Sequence, residues 1–191
     1  MAPANDPFGP HLFTPRVMWM ALMIANVMVF VVLTVTAQAP SAPPDPVVFM
    51  VLALIATSAG VAHFLIPART RQAAVASTKL ETTEMVDPHA SVIFRDAAPR
   101  IRVFVDEKAV AAASGQVFQT PFILSIALAE SIGIDGGVLV AMGFPVEQAV
   151  AFPAIAALLI IRVFPTRKAM LAPLEKHYGA TLASDQPAKS Q

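Results

Sequence analysis

The sequence contains no cysteine, which excludes disulfides, zinc–thiolate sites, thiol nucleophiles and thiolate-held iron–sulfur clusters. Charge is also scarce. Only 14% of the 191 residues are charged, and thirteen basic residues balance thirteen acidic ones. With no net charge there is no overall field to attract nucleic acid, and none is expected as a partner. Also missing are the short signatures of common chemistries. No phosphate-binding glycine loop, serine elbow, HExxH or dinucleotide fingerprint occurs. No cofactor is implied, and an enzyme is the least supported function class.

What fills the chain instead is apolar. Hydrophobic residues make up 56% of it and the mean hydropathy is +0.65, against about 45–50% apolar in soluble domains. The excess lies in four runs, Val17–Ala37, Val47–Pro67, Thr120–Gly143 and Gln148–Phe164. Each falls in the roughly 17–25 residues that a membrane helix needs. The reading is an all-α integral membrane protein with four transmembrane helices, arranged as two hairpins.

Residues 1–67 hold an N-terminal tail and the first hairpin, with Met1–Pro15 expected to be irregular because of its four prolines. Residues 68–119 form a connecting segment. In it, QAAVASTKLETTEM reads as a helix extending from the second span, ended by Pro88. The alternation in Arg100–Val105 reads as a short strand. Asp106 suits the N-cap of a helix starting EKAVAAA, with a bend expected near Gly115 and Pro121. Residues 120–165 are the second hairpin, its last helix kinked by Pro153. Residues 166–191 comprise an amphipathic surface helix over Thr166–Tyr178, limited by Pro173, and a disordered tail.

The two short links, Gln38–Pro46 and Gly143–Glu147, contain no Lys or Arg and carry Asp45 and Glu147. By the positive-inside rule both links face outward, and the termini and connecting segment are cytoplasmic. A bacterial cytoplasmic membrane is the expected location. An alternative makes the first run a signal peptide, since Ala37-Gln38-Ala39 has the form of a cleavage site. Against it stand the length of the run, the late position of Arg16 and Pro40 just after the cut.

The third run carries the most information. Glu130 lies near its middle and Asp135 further on, and a carboxylate at membrane depth is costly enough to need a reason. Ser125, Ala129, Gly133, Gly137 and Ala141 recur every fourth residue, a smooth seam along which another helix can approach. Asn26, Thr57 and Ser131 are polar groups available to bond Glu130. His63 lies near the end of the second run and reads as a packed or interfacial histidine; no metal site is expected.

Ala127–Ala141, ALAESIGIDGGVLVA, resembles the carboxylate-bearing helix of rotary ATPase proteolipids, the c-ring subunits. Glu130, Ser131, Ile134, Gly136 and Val138 match that family's pattern, and Asp135 stands where the family has Tyr or Phe. The resemblance implies that Glu130 carries a proton or sodium ion. Two functions therefore stand. The first is a structural or accessory subunit, whose seam binds other membrane helices in a homo-oligomer or hetero-complex. The second is a proton- or cation-handling subunit, with Glu130 as the exchangeable carboxylate and Asp135 on its outward path.

Overall fold

The computed structural model describes residues 6–36, 44–87 and 100–183. The cleavage site of the alternative signal-peptide reading, most of the first link, Pro88 and residues 184–191 lie outside them. The chain is mostly helical and divides into two compact units. Unit 1 comprises Met1–Leu12, Arg71–Phe118 and Thr166–Gln191; unit 2 comprises Phe13–Thr70 and Gln119–Pro165.

Among the described residues, three helices are long and apolar enough to cross a membrane: α1 (Gly9–Thr36), α2 (Pro46–Ser77) and α3 (Glu107–Ala141). Each is longer than the apolar run it contains. α1 begins inside the tail expected to be irregular, because Asp6 Oδ1 accepts from Phe8 N and Asp6 O from Gly9 N. Two hydrogen bonds outweigh the prolines there. α2 passes Pro67 without stopping. α3 starts where Asp106 Oδ1 accepts from the backbone N–H groups of Lys108 and Ala109, and continues as one helix through Gly115 and Pro121. The bend expected there is not a break.

The second hairpin turns at Gly143, which has φ of 86°. Phe144 N donates to Leu139 O and Gly143 N to Val140 O, the paired bonds of a Schellman cap. The fourth apolar run is formed by α4 (Val146–Ala149) and α5 (Ala151–Arg162). Pro153 has no N–H to give to Ala149 O, which accounts for the interruption between them. Val150 nevertheless keeps a helical backbone.

Unit 2 is layered by exposure. In the apolar window of α3, 50% of residues are buried, against 6% in α1 and 11% in α2, so α3 is the central helix. Ile132, Leu139 and Val140 pack with Ala56, Phe144, Ala149, Phe152 and Ala156. Met20, Ile24, Met28 and Val31 of α1, and Met50, Leu54, Val61 and Leu65 of α2, point outward. In water this would be an exposed apolar surface far beyond what a soluble chain carries; in a bilayer it is ordinary.

Unit 1 contains the sheet that an all-helical reading omits. β1 (Thr82–Val86) pairs antiparallel with β2 (Arg100–Phe104), and β2 pairs parallel with β3 (Ala180–Thr181). The single strand expected at 100–105 thus has two partners. One is Thr82–Val86, where the helix expected to extend from the second span gives way to a strand. The other lies in the tail expected to be disordered, where Ala180 and Leu182 are buried.

α6 (Arg167–Tyr178) is capped by Thr166, whose side chain accepts from Ala169 N, and closed by Gly179 at φ 61°. It buries Met170, Leu171 and Leu174, continuing past Pro173. Tyr178 Oη donates to Thr78 O and accepts from Leu80 N, which joins the end of α6 to the chain leaving α2.

Candidate functional site

The polar residues singled out in the sequence all fall in unit 2. Glu130 and Asp135 are half-buried on α3, and Glu130 Oε1 and Asp135 Oδ2 are each buried with no hydrogen-bond partner. Asn26, on α1, is 6% exposed, and its Nδ2 is likewise without a partner. That amide lies directly against α3. A Cβ added at Gly133 would come 2.6 Å from Asn26 Nδ2 and 3.4 Å from Ala156 Cβ. Since Gly133 is three residues after Glu130, the Asn26 amide is seated within one helical turn of that carboxylate.

Ser131 and Thr57, the other expected partners, bond their own helices. Ser131 Oγ donates to Leu128 O at 2.8 Å, and Thr57 Oγ1 to Ala53 O at 2.7 Å. This is the usual resort of a hydroxyl on a helix lacking a polar neighbour. Neither hydroxyl meets Glu130 Oε1.

The seam residues take different surroundings. Ser125 and Ala129 are buried, and Ser125 O accepts from His63 Nδ1 at 2.9 Å, so the neutral ring carries its proton on Nδ1. Gly133 faces Asn26 and Ala156, and Gly137 faces Leu33 Cδ1. Ala141 is exposed. From Ser125 to Gly137 the seam is thus met by the chain's own α1, α2 and α5.

The tightest approach of an α3 glycine to α5 lies off the seam. A Cβ at Gly136 would stand 2.7 Å from Pro153 Cδ, 2.9 Å from Phe152 Cβ and 3.0 Å from Ala149 O. That carbonyl is the one Pro153 leaves without its helical donor. α3 therefore comes closest to α5 where α5 is irregular, and four-residue spacing alone did not point to it. The signal that was available is Pro153 opposite a Gly136-Gly137 pair.

One end of unit 2 gathers the groups suited to a headgroup layer. Trp19 Nε1 donates to Ile160 O at 2.7 Å, and its ring meets Phe164 edge-on at 4.9 Å. Arg16 Nε donates to Pro165 O at 3.3 Å, and the Arg162 guanidinium lies 4.7 Å from the Phe64 ring centre. Trp and Arg side chains with one apolar and one polar end are the usual residents of that layer.

Among the described residues, no three His, Asp or Glu side chains converge as a metal ion would require. Comparison of the chain with family models, curated proteins and solved structures finds no match, so the reading of the site rests on its own geometry.

Proposed function

We propose that this chain is a membrane subunit that handles a proton or cation through Glu130. In this reading α1, α2, α3 and the α4–α5 pair form four spans as two hairpins. What supports the second hairpin is the apolar composition of α4 and α5, which together cover Val146–Arg162, at the short end of the length a span needs. The termini and the connecting segment are cytoplasmic. That sidedness is supported by the absence of Lys and Arg from both links and by unit 1, which collects the described residues of 6–12, 71–118 and 166–183 into one body.

The observation that carries the function is the pair of buried, unpartnered carboxylate oxygens, Glu130 Oε1 and Asp135 Oδ2, on the central helix. A carboxylate kept only for structure is normally matched by donors, because an unmatched buried polar atom costs about 1–3 kcal/mol. One that exchanges a proton or ion must be left free to do so. Apolar surroundings favour the neutral carboxyl, the state in which a proton is carried. The resemblance of 127–141 to a proteolipid helix points the same way.

A second reading, an accessory subunit that binds other helices, draws on a different place. Ala53, Ala56, Thr57, Gly60, Ile132, Ala151, Phe152 and Ile155 line a cleft of about 290 Å³, and nothing lies closer than 4.0 Å to a Cβ placed at Gly60. Small residues around a cleft leave room for a neighbouring side chain.

Glu130→Gln decides between them. It keeps size and hydrogen-bonding capacity and removes the titratable group. In proteoliposomes the parent protein should carry protons or cations, and the variant should match protein-free vesicles while melting like the parent. A hydrophobic carbodiimide should label Glu130, faster at low pH, and not the variant. Equal ion flux in parent and variant would leave only the accessory reading.

A further inference from the structure

A second polar feature lies in unit 1, away from the carboxylate helix. Arg71, Gln72 and Val75 on the last turns of α2, with Pro173, Lys176 and His177 on α6, line a cavity of about 440 Å³. Arg71 stands four residues past Pro67, a rise of about 6 Å along the helix. If residues 47–67 span the bilayer, that step brings Arg71 to headgroup level.

The Arg71 guanidinium stays charged at any physiological pH. The side chain is half-buried, and its Nε is buried without a hydrogen-bond partner. Burying part of a charged donor unmatched is costly. Among the described residues, no acidic side chain lines the cavity to match it. Lys176 and His177 occupy the last turn of α6, where the helix dipole favours positive charge, and both are exposed to solvent. Gln72 adds a carboxamide donor. A rigid guanidinium fork, an ammonium, an imidazole and an amide thus border one space from two helices.

We propose that this cavity is a phosphate-binding site. A planar carboxylate is satisfied by a single guanidinium fork. A phosphate offers further oxygens out of that plane, which donors on a second helix can reach. The phosphate would come either from the headgroup of an anionic phospholipid or from a free phosphate compound, and basic pockets at the cytoplasmic ends of membrane helices serve both chemically.

The test uses the full-length chain. Its melting is followed in detergent with inorganic phosphate against chloride at matched ionic strength. It is followed again in phosphatidylcholine nanodiscs with and without phosphatidylglycerol. A ligand that binds only the folded state raises the melting temperature. Stabilisation by inorganic phosphate in detergent identifies a free phosphate as the ligand; stabilisation by phosphatidylglycerol alone identifies the lipid.

In either case Arg71→Gln should weaken the apparent affinity about tenfold or more, a loss of one good contact. Lys168→Gln, an exposed charge on the same α6 but not lining the cavity, should leave it unchanged. Should Arg71→Gln fail to fold, Lys176→Gln makes the same comparison, because its side chain is exposed. If neither phosphate source stabilises the parent, or if the cavity variant and Lys168→Gln lose affinity equally, the site does not exist. The carboxylate reading of Glu130 is untouched by either result.

Discussion

The two units of this chain solve opposite problems with the same residue types. In unit 1 most large apolar side chains are inside: Phe104, Val110, Met170, Leu174 and Leu182 are all 2% exposed or less. In unit 2, Leu54 of α2 is 68% exposed and Ile24 of α1 58%, and the inner faces carry Asn26, His63 and Ser125. Unit 1 is arranged for water and unit 2 for lipid. The contrast teaches that burial is a statement about solvent. In lipid an outward Leu costs nothing, and close packing together with matched polar groups must hold the helices.

The strongest way to break this comparison is Leu174→Ala. The residue is fully buried, so its truncation should cost unit 1 about 2–5 kcal/mol. Hydrogen exchange should rise across 100–104 and 166–181, with the amides of 47–67 still protected. Equal loss of protection throughout would show the two units unfolding as one.

A pair of lysines sharpens it. Leu54→Lys places a charge near the middle of the second span, where insertion should be disfavoured by about 2.5–3.5 kcal/mol. Val105→Lys, at 58% exposure in unit 1, should change stability by no more than about 0.5 kcal/mol. The fraction of chain inserted, read with a sidedness reporter, measures the first, and a melting curve the second. Equal tolerance of both lysines would remove the distinction between the units.

The smallest effect concerns packing inside unit 2. Gly136→Ala forces a methyl against Pro153, Phe152 and a backbone carbonyl, none of which can swing away, and should cost about 1–3 kcal/mol. Gly60→Ala meets only Ile132 Cδ1 at 4.0 Å and should be neutral. Thermal melting in detergent separates the two. If Gly136→Ala melts like the parent, α3 and α5 are not held at their closest point.

Much of unit 2 was legible in the sequence because a membrane helix is a local object. Its length and apolarity are written in consecutive residues, and its backbone satisfies itself. The Asp106 cap was legible for the same reason, being complete within four residues. Unit 1 was not. β2 at 100–104 pairs with 82–86 and with 180–181, and no local pattern announces a partner some eighty residues away. Thr82–Val86 is weak as a strand by itself and becomes one only when Arg100–Phe104 supplies its hydrogen bonds.

The site divides in the same manner. Sequence alone determined that Glu130 and Asp135 sit in an apolar helix, since composition and spacing are enough for that. It also determined that a smooth face of small residues runs beside them. Only the tertiary structure decided what meets that face. Asn26 comes to Gly133 and Leu33 to Gly137, the Pro153 flaw comes to Gly136 beside that face, and Ser131 and Thr57 turn back on their own helices. The physical reason is that a polar group's partner is fixed by which helix packs beside it. That choice depends on side-chain shapes hundreds of atoms apart along the chain, and no stretch of sequence contains it.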